Sequence, residues 1–206
     1  MPDSWSRGLN RRHASLRSSG LCKPEVTGSI PVRSIARHEP TRSSGGVTAA
    51  ERQFEVRLAA DRDRVPLARL FAAVAEERDG IATEPPVDVD AWAARWRIEG
   101  TLVAEAGGEV IGSIHVEVSR FGFGEIGMAV ARDWRGRGVG SALLTAAIDW
   151  AREQGLHKLV LGVFPHNAAG LALYRKHGFV EEGYRARQYR RSNGELWDSV
   201  EMGLVL

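Results

Sequence analysis

The sequence predicts an α/β domain, a mixed sheet with helices on both faces, and three observations predict it. Strand-length apolar segments occur between longer stretches whose apolar residues recur at helical spacing. Glycine, proline and asparagine stand at the boundaries between them. The chain's 206 residues, 43% hydrophobic and 26% charged, can bury one core of ordinary size or a tight pair. That composition excludes a disordered chain and a collagen-like repeat, and a single cysteine, Cys22, excludes a disulfide scaffold. No apolar run approaches the roughly 20 residues a membrane helix needs, so a soluble, cytoplasmic protein without a membrane partner is expected.

The elements follow in order. Gln53 to Leu58 alternates Phe54, Val56 and Leu58 against Glu55 and Arg57, a half-buried strand. Asp63 offers an N-cap for a helix carrying Val65, Leu67, Leu70, Phe71 and Val74 up to Gly80, with Pro66 tolerated near its start. Ile81 to Asp90, containing Pro85-Pro86, reads as a loop. Asp90 caps a second helix bearing Trp92, Trp96 and Ile98 and stopped at Gly100, and the i, i+4 tryptophans are expected to pack in the core. Thr101 to Ala106 and Val110 to Ser119 form a hairpin around Gly107-Gly108, where a tight turn needs positive φ. Phe123 to Val130 is the next strand. Ser141 to Gln154 is a helix ended by Gly155 as its C′ residue. Lys158 to Phe164 is a buried strand halted by Pro165, and Asn167 caps a short helix ending at His177-Gly178. Phe179 to Tyr189 and Glu195 to Leu204 make two strands around Ser192-Asn193-Gly194.

Residues 1–46 read as separate from this domain, which spans 47–206. They hold eight Lys or Arg against three Asp or Glu, a net +5, so the rest, twenty basic against twenty-three acidic, carries −3. The stretch is rich in Ser, Arg, Gly and Pro and has no sustained period, as disordered segments do. It is a basic arm for nucleic acid, a transit-type leader, or non-coding sequence upstream of a start near Val47. Val26 to Val32, which reads like a translated structural-RNA gene, favours the last. Nucleic acid is therefore not an expected partner. The six histidines are scattered without ligand spacing, so no metal is expected.

The chemistry is concentrated in Ala131 to Ser141, a glycine-rich turn between a strand and an amphipathic helix. Gly136, Gly138 and Gly140 let backbone N–H groups converge at a helix N-terminus, with Val139 and Ser141 in the same run. That is a cradle for a pyrophosphate, and Arg135 and Arg137 add charge for its oxygens. A glycine-rich loop with two solvated arginines is the plainer reading. No Lys-Ser/Thr follows and Ser141 stands where a dinucleotide fingerprint needs its third glycine, which excludes both of those motifs.

A second cluster, Asn167 to Phe179, follows about thirty residues on. Together the two resemble the Gcn5-related N-acetyltransferase (GNAT) superfamily over roughly residues 50–206. Arg135, Gly138 and Gly140 match its Arg/Gln-x-x-Gly-x-Gly/Ala signature, and Asn167 to Phe179 its Asn…Leu-Tyr-x-Lys-x-Gly-Phe stretch.

The resemblance implies an acyl-CoA N-acyltransferase fold whose sheet splays between its fourth and fifth strands, with acetyl-CoA in the gap. It implies that backbone groups of Met128, Ala129 and Val130 pair with the pantetheine arm, Arg135 to Ser141 hold the pyrophosphate, and Asn167 bonds the pantetheine or the thioester end. It implies Tyr174 as the acid that protonates the departing thiolate, against a tyrosine simply packed on the sheet. Glu125 is the expected base, directly or through water, against an ordinary strand-edge glutamate. His115, on the neighbouring strand, is the second candidate base or acceptor contact, against a histidine simply packed, and the Met128 N–H is the oxyanion donor. The acceptor side would be lined by Ile81 to Pro86 and Arg185 to Trp197, where Glu84 could hold a cationic acceptor or be solvated. Arg185, Arg187, Arg190 and Arg191 could attract a carboxylate or face water. The tail from Tyr189 to Asp198 looks like that of acetyltransferases acting on protein N-termini or on small amines and amino-acid-like antibiotics. The expected activity is acetyl transfer from acetyl-CoA to such an amine. The alternative is a module of the same fold that binds acyl-CoA without turnover, and a homodimer is left open.

Overall fold

The computed structural model describes residues 53–206. The expected extension over 1–46 lies outside them.

The described chain runs β1 (Glu55–Leu58), α1 (Arg64–Glu76), α2 (Val89–Arg95), β2 (Thr101–Ala106), β3 (Glu109–Val118), β4 (Phe123–Val130), α3 (Val139–Glu153), β5 (Lys158–Val163), α4 (Ala168–Lys176), β6 (Val180–Arg190) and β7 (Leu196–Val205). That is the expected order. Two 3-10 turns, Asp61–Asp63 and Arg132–Trp134, precede α1 and α3. The seven strands form one sheet in the order β1-β2-β3-β4-β5-β7-β6. Every neighbouring pair is antiparallel except β4 and β5.

Alternation along the strands assigns the two faces. Ile114, Val116, Ile126, Leu159, Leu161 and Met202 join Leu143, Leu144, Ala147, Ile148 and Ala151 of α3 in the main core. Leu143 and Leu144 are fully buried, and truncating such a leucine to alanine costs roughly 2–5 kcal/mol. The other face is covered by α1, whose Leu70 and Val74 pack against Ala129.

Several boundaries depart from expectation. Asp63 stands before α1 but makes no side-chain cap. Its carboxylate accepts from Arg57 at 2.7 and 2.8 Å and from the Ala60 N–H at 2.7 Å, and the Arg57 contact holds its pKa below the usual carboxylate value. The first helix ends at Glu76, short of Gly80. The cap of α2 is Asp88, accepting from Ala91 N–H at 2.9 Å, and Asp90 lies inside the first turn, where a negative charge suits the helix dipole. That helix stops at Arg95 because Trp96 takes an extended conformation; its ring lies edge-on to Phe71 at 5.7 Å, beside Trp92 at 6.0 Å. The three aromatics are half-buried rather than core residues. The third helix begins at Val139, two residues early, so Val139, Gly140 and Ser141 form its first turn. The Gly107-Gly108 hairpin has the expected positive φ at both glycines, 58° and 84°.

Candidate active site

The splay between the middle strands creates the site. β4 and β5 pair only at Phe123↔Lys158, Gly124↔Leu159 and Glu125↔Val160. Beyond those pairs β4 continues to Val130 and β5 to Val163 without pairing with each other, so the strands open into a V toward their C-terminal ends. Gly124 sits at the closed end, where a Cβ would lie 2.6 Å from Val116 and 2.9 Å from Leu159. Only a residue without a side chain lets the strands meet that closely before they part.

On its open flank β4 exposes backbone groups. The Ala131 N–H donates to the Ile111 carbonyl on β3, so alternation turns residues of that parity toward β3 and Ile126, Met128 and Val130 toward the gap. The Val130 carbonyl accepts from Arg135 Nε at 3.0 Å. It is therefore occupied by the chain itself, while the N–H and C=O of Met128 face the cleft. Ala129 belongs to the β3 side and packs its side chain on α1, so the expectation that it shares in lining the gap is not met by its orientation.

The loop after β4 delivers amides to the mouth of the V. Gly136 and Gly138 have φ of 71° and 83°, and a Cβ on either would meet nothing within 4 Å. Gly138 is the N-cap of α3, and the first helical bond there is from Ala142 N–H to its carbonyl at 3.0 Å. The amides of Val139, Gly140 and Ser141 thus have no intrahelical acceptor and point out of the helix start. Open space, left-handed glycines and unpaired donors together fit a diphosphate. Arg137 lies exposed over Trp134, 5.4 Å from the ring centroid. Arg135 does not project freely as expected. Its guanidinium makes a two-pronged pair with Glu77 at the end of α1, 2.7 and 2.8 Å, so its charge is already matched and its contact is with the loop's own scaffold.

Three residues flank the α3 side. Ser141 Oγ bonds His177 Nε2 at 2.7 Å, tying the start of α3 to the end of α4. Asn167 Oδ1 caps α4 by accepting from Gly170 N–H at 2.8 Å, which leaves its amide hydrogens as donors. Tyr174 packs against the main core with its ring 5.8 Å from Phe179, and burial pushes its pKa up to about 12. Its hydroxyl makes no hydrogen bond among the described residues, so it is a protonated phenol with a free O–H.

The α1 face carries the acids. Glu125 is exposed at the closed end of the V and makes no hydrogen bond or ion pair among the described residues. Its neighbours across β3 are Glu117, directly opposite, and His115, opposite Gly127. His115 is held at both nitrogens. Thr101 Oγ1 donates to the Arg97 carbonyl at 2.7 Å, so the 2.9 Å contact to His115 Nδ1 is a donation from the ring. Nε2 lies 3.2 Å from Glu117 Oε2, so both ring nitrogens are engaged. An occupied His115 is a poor free base.

The sequence model of the acetyltransferase (GNAT) family matches residues 67–179. The chain belongs to that family. Over 112 residues it is 34% identical to the L-amino acid N-acetyltransferase AaaT of Escherichia coli, covering 50% of this chain and 67% of that protein. Over 114 residues it is 37% identical to the L-methionine sulfoximine/L-methionine sulfone acetyltransferase of Pseudomonas aeruginosa, covering 50% and 66%. The yncA structure from Salmonella typhimurium, solved with its cofactor acetyl-CoA, superimposes with a TM-score of 0.68 at 25% identity, covering 75% of this chain and 95% of that one. As a GNAT family member the chain is an acetyl-CoA-dependent N-acetyltransferase, and its fold and V-shaped cleft agree.

On the side expected to take the acceptor, Glu84 is not available as expected. Its carboxylate accepts from the Ser192 N–H at 2.7 Å and hydroxyl at 2.9 Å, with Arg191 Nε at 3.6 Å, and these contacts, the Ser192 N–H first, lower its pKa. Arg185 pairs with Glu201 at 3.1 Å. Arg191 does not face water: it is 4% exposed and donates to backbone carbonyls of residues 78–82. Sequence reading missed that burial because an arginine beside a turn resembles a solvated one; the adjacent Trp197, now under its guanidinium at 4.2 Å, was the available signal. Among the described residues no three His, Cys, Asp or Glu side chains gather as metal ligands. Nor is any described helix long and apolar enough to cross a membrane.

Proposed function

We propose that the chain transfers the acetyl group of acetyl-CoA to the primary amine of an amino-acid-like molecule or a protein N-terminus, by direct attack through a tetrahedral intermediate. The observation that carries this is the V between β4 and β5, with unpaired amides of α3 at its mouth on one face and the unpaired Glu125 on the other. The acceptors named in the two relatives, L-amino acids and methionine sulfoximine or sulfone, support the amino-acid-like class.

Each residue then has a task. Gly136 to Ser141 bind the diphosphate through backbone N–H groups, with Arg137 adding charge. Arg135 acts on the loop rather than on phosphate, through Glu77 and the Val130 carbonyl. The Met128 backbone pairs with the pantetheine arm as an added strand and its N–H stabilises the oxyanion, a donor whose loss costs roughly 3–4 kcal/mol. Asn167 donates its free amide hydrogens to the thioester end. Acetyl-CoA supplies the activated acetyl group.

An alkyl ammonium titrates near 10, so it must lose a proton to attack. Glu125 takes that proton, directly or through water. The N–C bond forms as the carbonyl π pair moves to oxygen, and the C–S bond breaks as that pair returns. Tyr174 gives its phenolic proton to the departing thiolate, and the surplus proton on the new amide nitrogen passes to the tyrosinate, restoring the phenol. A phenol whose pKa burial has pushed up to about 12 is fully protonated at neutral pH, as this role requires. His115 and Glu117 neighbour the base and are held as a pair.

The test is acetyl-CoA-dependent thiol release with a panel of free amino acids, small amines and peptides differing in their N-terminal residue. Saturable release with at least one amine is expected. Saturable acetyl-CoA binding without release on any amine would instead favour a non-catalytic acyl-CoA-binding module.

A further inference from the structure

Residues 78–84 join α1 to α2 without regular structure. They are nevertheless held along their length by the C-terminal part of the chain. Arg191 donates to the carbonyls of Arg78 at 3.2 Å, Ile81 at 3.3 Å and Ala82 at 2.8 Å. His166 Nε2 donates to the Asp79 carbonyl at 3.0 Å. Glu84 accepts twice from Ser192. The Arg191 guanidinium is sandwiched against Trp197, and Trp197 in turn meets His166 edge-on at 4.7 Å and Phe164 at 5.0 Å.

Topology places these links. On the Glu125 face α1 covers β4, and Glu77, next to its last residue, reaches Arg135 just beyond the end of that strand. β7 runs antiparallel to β5 with Val163 opposite Val200, so the turn before β7 lies beyond the C-terminal end of β5, as do Phe164 and His166. A contact from residues 78–84 to that turn must therefore pass from the β4 side to the β5 side, at the wide end of the V. It does so on the face opposite α3.

We infer that these contacts form a fixed bridge across the mouth of the cleft, and that Arg191 is the positioning residue that holds it and so bounds the space through which the amine approaches Glu125. This rests on the acetyltransferase reading of the cleft. Arg191 suits the task because a buried guanidinium presents several donors in one plane and can satisfy three carbonyls at once. A lysine keeps the charge but not the fork. Loss of the fork leaves three carbonyls without their donor and frees the loop, while the amides of α3, on the other face, are untouched.

The experiment compares wild type with Arg191→Lys and Arg191→Met, using the best amine of the panel. Acceptor KM should rise about tenfold or more in both, with kcat and the acetyl-CoA Kd within about threefold of wild type, and trypsin should cut after Arg78 faster than in wild type. Failure of lysine to rescue identifies the fork rather than the charge. Should the Arg191 variants not fold, Glu84→Gln combined with Ser192→Ala opens the bridge at its exposed end and should shift acceptor KM and cleavage in the same direction by less. Unchanged acceptor KM and cleavage, or an acetyl-CoA Kd that rises in step with acceptor KM, overturns the inference. If the wild type acetylates no amine, the acetyltransferase reading fails on its own, and trypsin cleavage with the acetyl-CoA Kd still judges the bridge.

Discussion

Glu117 and Glu125 stand directly opposite each other on β3 and β4, on the sheet face that carries α1. Like charges so placed repel. The structure relieves the repulsion on one side only: Glu117 takes His115 at 3.2 Å and Arg97 at 2.5 Å, and the His115 contact lowers its pKa, while Glu125 has no partner among the described residues. One carboxylate is thus engaged by two neighbours while the other is unengaged, the arrangement that the proposed base requires. Glu125→Gln should lower kcat by about 10²–10⁴ with acetyl-CoA affinity preserved, and Glu117→Gln should do far less. Steady-state kinetics with both variants decides it: equal losses, or none at Glu125, remove Glu125 from the role of base.

Tyr174 gives the complementary prediction. Its hydroxyl has no partner among the described residues and its pKa is pushed up to about 12 by burial, so the phenol stays protonated through neutral and mildly alkaline pH. Tyr174→Phe should reduce kcat and leave the acetyl-CoA Kd close to wild type, because the ring and its packing on Phe179 are kept. The kcat of wild type should also show no alkaline fall assignable to Tyr174 up to pH about 10. An unchanged kcat in the Phe variant would show that the thiolate is protonated by another group.

Gly138 tests the anion cradle. At φ 83° any L-residue is strained by roughly 1–2 kcal/mol, and that residue is the N-cap of α3. A Cβ there meets no protein atom within 4 Å, so Gly138→Ala separates backbone strain from steric clash. Acetyl-CoA should bind about tenfold more weakly to Gly138→Ala and weaker still to Gly138→Val, whose branches enter the space left for the diphosphate. Titration by calorimetry reads this directly, and undiminished binding to the Val variant would place the diphosphate elsewhere.

Arg135 distinguishes two uses of one charge. If it acts through Glu77 and the Val130 carbonyl, then Glu77→Gln and Arg135→Gln should each weaken acetyl-CoA binding a few-fold, and the double variant should be no worse than either. An exposed pair is worth little by itself, about 0–1 kcal/mol, so the effect must come from the loop it anchors. A large loss in Arg135→Gln beside a silent Glu77→Gln would return Arg135 to the phosphate.

What the sequence revealed and concealed divides along physical lines. Periodicity and turn chemistry, both local, located every strand to within three residues at each end, and the Gly107-Gly108 and Ser192-Asn193-Gly194 turns fell where expected. Helix ends were harder, because Asp63 and Asp90 are equally good caps by composition. Only tertiary contacts decide that Arg57 claims Asp63 and that the chain enters α2 at Asp88. The glycine-rich turn before α3 was legible because glycines at positive φ before a helix start are a local signal. The contacts of the α1–α2 connection were not, since Glu84, Arg191 and His166 join residues about 80 to 110 apart in sequence.

His177 makes the last prediction, one of stability against pH. Its Nε2 is bonded to Ser141 Oγ at 2.7 Å, and burial, then the neighbouring Lys176, lowers its pKa from the ordinary 6.5. The folded protein therefore resists a proton that the unfolded chain takes up near pH 6.5. Between that value and the folded pKa the unfolded state binds more protons, so stability falls as pH drops through this window and levels off below the folded pKa. His177→Gln retains a polar group facing Ser141 without the titration. Thermal unfolding of both proteins from pH 7.5 to pH 5 should show the wild-type Tm falling more steeply than that of the variant. Parallel curves would mean that His177 titrates alike in both states, and that its contact with Ser141 adds no proton linkage to the start of α3.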